Sequence, residues 1–194
     1  MTQALAAGVT FFQYRNKGGS RRQIYETSQL LARTAARAGA VFIVNDHADI
    51  AAAVDADGVH LGQDDLPVLY ARKLLGNKKL IGVSTHSIDQ ALAAEAAGAD
   101  YVGFGPLFKT ATKDAGTAQG IENLVVIKKT VSIPVIAIGG INQENIGEVM
   151  RTGAEGAAVI SAVLSAFSLR RAAEEMLRII QESGTGIQNS GGNT

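Results

Sequence analysis

The tetrapeptide Ala56-Asp57-Gly58-Val59 has two variant copies later in the chain, Ala99-Asp100-Tyr101-Val102 and Ala154-Glu155-Gly156-Ala157. Each copy places a small residue and a carboxylate just before a short run of strand-forming residues, as a repeated helix-to-strand turn would. Units built alike in this way indicate a fold of repeated βα units around a parallel sheet.

The segments around these turns alternate between two patterns. Short β-branched runs predict strands, at residues 9–15, 41–45, 58–61, 80–84, 101–105, 135–138 and 157–161. Alanine-rich stretches of helical period predict helices, at residues 20–38, 49–54, 68–75, 88–97, 121–130, 143–152 and 169–181. Residues 3–7 read as the last turns of a further helix that leads into the first strand.

Such an array without long linkers is most simply closed as a TIM-type barrel. Because the barrel needs eight strands, we predict an α/β TIM (β/α)8 barrel that lacks the first strand and most of the first helix. An open doubly wound sheet is the alternative, but no G-x-G-x-x-G motif follows the first predicted strand. We expect one domain over residues 1–183 and a flexible Gly/Asn/Ser-rich tail over residues 184–194.

Composition limits the classes of function. The 18 basic and 18 acidic residues balance, so no overall field attracts nucleic acid or anionic lipid, and we expect neither as a partner. The chain has no cysteine, which excludes disulfides, thiolate catalysis and thiolate metal ligands. The sequence predicts no signal peptide and no membrane span. We therefore expect a cytoplasmic protein whose metal chemistry, if any, uses oxygen ligands.

The first predicted strand carries three polar side chains on one face, because alternate strand residues point the same way. These are Gln13, Arg15 and Lys17. An amide, a guanidinium and an ammonium together predict an anion site, for phosphate. The alternative is an edge strand whose charges discourage further pairing, and the residues alone leave both interpretations open.

Two carboxylates follow neighbouring strands: Asp46 comes after the second strand and Asp65 after the third. The carboxyl ends of barrel strands meet at one face, and Mg²⁺ usually takes one or two carboxylates together with substrate phosphate oxygens. A Mg²⁺ site opposite Arg15 and Lys17 would neutralise a phosphate from two sides. The alternative is that both carboxylates are helix N-caps.

Later strands end in further polar or glycine-rich segments. Ser84, Thr85 and His86 follow the fourth strand, where the alternative is a helix N-cap at Thr85 or Ser87 with His86 merely exposed. The long loop 103–114 fits a lid or binding loop. Segments 137–141 and 159–161 end the last two strands, where TIM barrels often bind phosphate through backbone N–H groups.

In their order and approximate spacing these motifs resemble the thiamine-phosphate synthase family. The resemblance covers about residues 4–181 and rests on seven segments, 13–17, 45–46, 60–67, 82–86, 101–106, 110–113 and 138–141. It implies a TIM-barrel transferase that joins hydroxymethylpyrimidine diphosphate to thiazole phosphate, releasing pyrophosphate and forming thiamine phosphate. The family's route has a dissociative step with a carbocation-like pyrimidine, which requires no strong base or covalent nucleophile.

The resemblance also implies residue roles. The residues implied to bind the pyrimidine diphosphate are Gln13, Tyr14, Arg15, Asn16, Lys17, Asn45, Ser84 and Lys113. Those implied to carry catalysis are Arg15, Lys17, Ser84 and Lys113. Those implied to bind the thiazole phosphate are Thr110, Ala111, Thr112, Gly140, Ile160 and Ser161. Asp46 and Asp65 are implied to hold Mg²⁺.

The departure from the family lies at the front, where members carry a first strand and most of a first helix ahead of Ala4. A barrel without that strand exposes the edges of its first and last remaining strands. A truncated gene product, a wrongly chosen start, or a homo-oligomer that covers the gap would each explain the sequence. Two other functions stay open. One is a thiazole tautomerase-like isomerase, against which the residues Gln13, Arg15, Lys17, Asp46 and Asp65 argue, and the other is a non-catalytic phosphate-binding remnant.

Overall fold

The computed structural model describes residues 1–109 and 117–184. Within them seven parallel strands lie side by side in chain order, each hydrogen-bonded to the next. The strands are β1 Phe11–Tyr14, β2 Val41–Asn45, β3 Gly58–Leu61, β4 Leu80–Thr85, β5 Tyr101–Phe104, β6 Val135–Ile138 and β7 Gly156–Ala158. The helices are α1 Thr2–Ala6, α2 Arg21–Ala38, α3 Ala48–Ala53, α4 Val68–Leu75, α5 Ile88–Ala96, α6 Gly120–Thr130, α7 Ile146–Arg151, α8 Ser161–Leu164 and α9 Leu169–Gly184.

The sheet curls strongly about its inner face. Phe11 on β1 and Tyr101 on β5 pack edge to face with ring centroids 5.9 Å apart, although strands four places apart in a flat sheet would be about 19 Å apart. The parallel order and this curvature give a TIM-type α/β half-barrel. The predicted fold class is confirmed, including the count of seven strands in the described residues.

The main hydrophobic core lies between the outer face of the sheet and the helices. Strand residues such as Phe42, Val59 and Phe104 are fully buried there, against helix residues such as Leu124 and Ile146. Small alanines on the helices let them pack closely on the strands, because they fill little of the space between the two layers. No helix within the described ranges combines the length and apolar character that crossing a membrane requires.

Most predicted elements are confirmed to within a few residues, but the carboxyl end of the last predicted strand is wrong. Residues 157–161 were expected to be a strand, whereas β7 is Gly156–Ala158 and α8 begins at Ser161. The β-branched Val159 and Ile160 favour a strand locally, but the pairing with β6 ends at Ala158. Of the predicted tail, Gly184 ends α9, and residues 185–194 lie outside the described residues.

Burial falls away from the middle of the sheet toward both edges. Every residue of β3 and β5 is buried, whereas β1 alternates exposed and half-buried residues and β7 has none that is buried. Within the described residues β1 pairs only with β2, and β7 pairs only with β6. The inner face of the half-barrel is therefore open between these two strands.

Candidate active site

A side-chain hydrogen bond joins the inner face of β1 to β2. Gln13 Nε2 donates a hydrogen bond of 2.6 Å to Oδ1 of Asn45, which is only 7% exposed. Because Tyr14 pairs with Val44, Arg15 follows at the same level as Asn45, at the carboxyl end of the sheet. The structure therefore brings three of the predicted binding residues together, and it also places β1 at the edge of the sheet.

The loop after β1 is held in shape by hydrogen bonds of one of its own side chains, Asn16. The Asn16 side-chain oxygen accepts hydrogen bonds from the backbone N–H groups of Gly18 and Gly19, at 3.1 and 2.9 Å. Its amide nitrogen donates to the Tyr14 hydroxyl at 3.2 Å. Ser20 is then the N-cap of α2 and forms a capping box with Gln23. These contacts use the polar groups of Asn16 to shape the loop that carries Lys17.

Asp46 and Asp65 do not cap helices. The N-cap of α3 is His47 and that of α4 is Pro67, neither with a capping side-chain bond. Asp46 instead has a left-handed backbone, with φ of 64°, which is uncommon outside glycine and is found often at functional sites. Its N–H donates to the His60 carbonyl at 2.8 Å. The capping interpretation from the sequence is therefore wrong for both residues.

The Asp46 and Asp65 side chains interact electrostatically, and Asp65 Oδ2 accepts from the Gly62 N–H at 2.6 Å. Burial raises the pKa of the Asp46 carboxyl, and the neighbouring Asp65 raises it further. Arg15 and Lys17 lower the same pKa. Two carboxylates and two cations therefore share one electrostatic environment at the carboxyl ends of β1, β2 and β3.

This pair of carboxylates fits a hard cation. Placing two like charges side by side is unfavourable unless a cation or a proton lies between them. No group of three or more Asp, Glu or His side chains in residues 1–109 and 117–184 is arranged to hold a metal ion. Two carboxylates are nevertheless the protein ligands that Mg²⁺ typically uses when substrate phosphates and water complete its shell.

Sequence inspection missed a buried hydrogen-bonded set on the inner face. His60 on β3 is 5% exposed, and its Nε2 lies 2.8 Å from Ser84 Oγ while its Nδ1 lies 3.1 Å from the Tyr101 hydroxyl. Burial lowers the pKa of His60 to about 4, so its imidazole is neutral at pH 7. The available signal was a histidine within a strand that is buried on both faces, where an imidazole needs polar partners.

Two nearby serines have different roles: Ser84 lies in the candidate site, whereas Ser87 caps a helix. Gln63 Nε2 donates to the Ser84 carbonyl at 2.6 Å, which ties the loop after β3 to β4. Ser87 caps α5 by accepting from the Gln90 N–H at 3.2 Å. His86 is exposed, with Nδ1 at 2.5 Å from the Gly105 carbonyl oxygen. The predicted cap at Ser87 and the exposure of His86 are confirmed.

At the opposite edge of the site, two glycines after β6 bring the backbone close to the loop after β5. Gly139 and Gly140 both have left-handed φ, 87° and 70°, and a Cβ on Gly140 would lie 2.8 Å from the Cβ of Phe108. Glycine is therefore required there both by conformation and by the close approach of the loop after β5. Gly140 and Ile160 each follow by two residues the last paired residues of β6 and β7, Ile138 and Ala158.

The predicted site includes four residues of the loop after β5. Thr110, Ala111, Thr112 and Lys113 lie outside the described residues. The described flanks of this loop are Lys109, which is exposed, and Thr117. The roles implied for these four residues stay predictions.

The fold and the polar groups at the carboxyl ends of its strands define an enzyme of the TIM-type α/β barrel class. The family model described as thiamine monophosphate synthase matches residues 1–163. The chain belongs to this family, and it is therefore a transferase.

Individual relatives agree with this assignment. A thiamine-phosphate synthase from Chloroflexus aurantiacus is 51% identical over 178 residues, which cover 91% of this chain and 82% of the relative. The solved structure of a thiamine phosphate pyrophosphorylase from Pyrococcus furiosus is 44% identical and superposes with a TM-score of 0.87, covering 93% of this chain and 87% of that one. A 3-hexulose-6-phosphate synthase, 18% identical with a TM-score of 0.70 over 92% of this chain and 94% of that one, shares the fold alone. Thiamine-phosphate synthase activity is thereby supported.

Proposed function

We propose that the chain joins 4-amino-2-methyl-5-hydroxymethylpyrimidine diphosphate to 4-methyl-5-(2-phosphoethyl)thiazole, giving thiamine phosphate and pyrophosphate. The observation that carries the proposal is the pair Asp46 and Asp65 in the field of Arg15 and Lys17, in a chain of the thiamine monophosphate synthase family. A diphosphate that leaves as a stable anion needs positive charge placed around it. Arg15 and Lys17 would supply part of that charge, and a cation held by Asp46 and Asp65 would supply the rest.

Asp46 and Asp65 are the proposed ligands of Mg²⁺, which when bound supplies positive charge to the leaving pyrophosphate. Arg15, Lys17 and Lys113 are the proposed cationic contacts of the same phosphates. Fixed charge of this kind lowers the barrier because it is already oriented when the oxygen of the leaving group becomes negative.

The proposed reaction is a substitution at the exocyclic methylene carbon of the pyrimidine. The carbon–oxygen bond breaks with its electron pair going to pyrophosphate, and the positive charge left behind is shared with the aminopyrimidine ring. The lone pair of the thiazole nitrogen then forms the new carbon–nitrogen bond, so no proton has to be removed. Gln13, Asn45 and Ser84 are the proposed contacts that hold the pyrimidine part in position.

The thiazole phosphate is proposed to bind at the other edge, at Gly140, Ile160 and Ser161 and at the loop residues Thr110, Ala111 and Thr112. Backbone N–H groups next to glycine are suited to phosphate, because no side chain blocks the approach of the ligand. The two substrates would then meet across the inner face of the half-barrel. A homo-oligomeric state and a cytoplasmic location stay predictions.

The test is formation of thiamine phosphate by the purified chain, given both substrates and Mg²⁺, with each substrate and the metal omitted in turn. Metal-dependent product that requires both substrates is the expected result. Folded protein that forms no product would overturn the proposal. Binding measurements with the thiazole phosphate, and a search for its isomerisation, would then distinguish a non-catalytic binder from a tautomerase-like isomerase.

A further inference from the structure

Two glycines on neighbouring strands make room for two large polar rings on the inner face. A Cβ on Gly82 would lie 2.1 Å from Cζ of Tyr101, and a Cβ on Gly103 would lie 3.1 Å from Cε1 of His60. The two rings fill this space with centroids 5.5 Å apart, and Tyr101 is 7% exposed. Close packing of this kind holds both rings in one orientation.

The rings form a hydrogen-bonded chain that ends at Ser84. The Tyr101 hydroxyl lies 3.1 Å from Nδ1 of His60, and Nε2 of His60 lies 2.8 Å from Ser84 Oγ. His60 is 5% exposed and the two described partners of its ring are hydroxyl groups rather than carboxylates, so the buried imidazole is neutral and carries one N–H and one acceptor nitrogen. The two hydrogen bonds must therefore run in the same direction along the chain, either toward Ser84 or away from it.

The burial of Tyr101 determines in which direction these two hydrogen bonds run. Within residues 1–109 and 117–184, Nδ1 of His60 is the one hydrogen-bond partner of the Tyr101 hydroxyl, and burial raises the pKa of Tyr101, so the phenol keeps its proton. If Nδ1 carried the imidazole proton, that phenolic proton would be buried without an acceptor, which is costly. Tyr101 therefore donates to Nδ1, and Nε2 carries the imidazole proton and donates to Ser84 Oγ.

We propose that Tyr101 and His60 are positioning residues that fix the Ser84 oxygen as an acceptor from Nε2 and so leave the Ser84 proton for an acceptor atom of the substrate. The identification of that substrate as the pyrimidine diphosphate rests on the proposed function. The relay itself rests on the contacts of His60, Tyr101 and Ser84, with Gln63 holding the Ser84 carbonyl at 2.6 Å.

Nitrogen-15 NMR of the full chain with labelled histidine tests the relay without turnover. At pH 7 and without substrates, we expect His60 to be in the single tautomer with the proton on Nε2. The spectrum of His60→Gln identifies its resonances among those of the three histidines. A proton on Nδ1, or a charged imidazolium, in the wild-type spectrum would overturn the proposal.

A pair of substitutions at His60 separates positioning from packing. In His60→Gln the side-chain amide can replace the Nε2–H donor to Ser84, whereas His60→Leu keeps the volume approximately and removes the donor. We expect kcat/KM for the pyrimidine diphosphate to fall roughly ten-fold or more in His60→Leu and by much less in His60→Gln. Equal losses in the two variants would contradict a role through hydrogen bonding.

Tyr101→Phe removes the donor at the start of the relay and keeps the ring that packs on Phe11. We expect the Nδ1 resonance of His60 to shift, and kcat/KM to fall roughly ten-fold. The matched control is Tyr70→Phe, on the exposed face of α4, which should change neither. Loss of activity with an unchanged Nδ1 resonance would exclude the relay as the cause.

These outcomes also separate this inference from the proposed function. If wild-type protein shows the expected tautomer but forms no thiamine phosphate, the relay stands and the proposed function fails. If wild-type protein forms thiamine phosphate but His60 carries its proton on Nδ1, the proposed function stands and the relay fails.

Discussion

The middle of the sheet and its two edges are built differently. In β3 and β5 every residue is buried, and the polar groups there are hydrogen-bonded, as His60 is to Ser84 and Tyr101. In β1 and β7 no residue is buried. The middle of the sheet therefore supplies rigid, oriented groups, whereas the edges supply charge and backbone whose positions depend less on packing.

The physical cause is the number of neighbours that a strand has. A central parallel strand is covered on both faces and paired on both sides, so its polar atoms must be satisfied internally. An edge strand keeps one row of unpaired backbone groups and one open face. On the outer face, Phe12 of β1 is consequently only half-buried, whereas its register partner Phe42 on β2 is 1% exposed.

The sharpest test of this difference compares Phe42→Ala with Phe11→Ala. Phe42 is fully buried between sheet and helices, so we expect its loss to lower the free energy of unfolding by about 3–5 kcal/mol. Phe11 is half exposed and loses mainly its contact with Tyr101, so about 1–2 kcal/mol is expected. Denaturant titration of both variants measures the values. Equal losses would mean that β1 is covered in solution, for example by a second copy of the chain.

The second prediction concerns the pH dependence of the middle of the sheet. The pKa of His60 is lowered by burial from 6.5 to about 4, so the folded protein favours the neutral form. The resulting stability is present above pH 6.5 and is lost as pH falls toward 4, where wild-type protein should have lost about 3 kcal/mol relative to His60→Gln. Unfolding titrations of both proteins at pH 7 and pH 4 measure this. Parallel pH curves would contradict burial as the controlling factor.

The third prediction tests the charged corner next to β1. Asp46→Asn and Asp65→Asn each remove one proposed metal ligand, and turnover should fall by about two orders of magnitude with a weaker response to added Mg²⁺. Asparagine tolerates the left-handed backbone of Asp46, so the substitution adds little strain. The matched control is the exposed neighbour Asp64→Asn, expected to behave as wild type. Full activity and an unchanged metal titration in Asp46→Asn would reject the metal assignment.

The prediction with the smallest expected effect concerns the hydrogen bond between the edge strand β1 and its neighbour β2. Gln13→Leu removes the hydrogen bond from Gln13 to the buried Asn45. We expect KM for the pyrimidine diphosphate to rise about ten-fold, since the Asn45 side chain loses the partner that orients it. Steady-state kinetics measure this, with the exposed Gln143→Leu as control. An unchanged KM would contradict both the proposed substrate contact of Gln13 and its role in orienting Asn45.

Much of this site could be predicted because it follows from strand order. Gln13, Asn45, Asp46, Asp65 and Ser84 all lie near or just beyond the carboxyl ends of strands, and the barrel rule places such residues at one face. Their proximity is confirmed for Gln13 with Asn45 and for Asp46 with Asp65. The roles assigned to them in binding and catalysis stay predictions, because those roles depend on ligands rather than on strand order.

The parts that sequence inspection missed depend on contacts between distant residues. The partner of His60 is 41 positions away at Tyr101, and no local pattern joins the two. The short helix α8 replaces a predicted strand end because pairing with β6 stops at Ala158, which local β-branched propensity does not report. Helix capping by Asp46 and Asp65 was locally reasonable and is wrong, because α3 and α4 begin after His47 and Pro67.

The βα repeat, the approximate positions of the strands and the polar residues near their carboxyl ends could be predicted from the sequence, because periodicity and turn chemistry are local properties. The extent of the sheet's curvature and the pairing of buried polar groups across it are visible only in the tertiary structure. Those features arise from packing between residues far apart in the chain. Asp46 illustrates the division, since its type and place are readable in the sequence, whereas its left-handed backbone and its shifted pKa come from its neighbours.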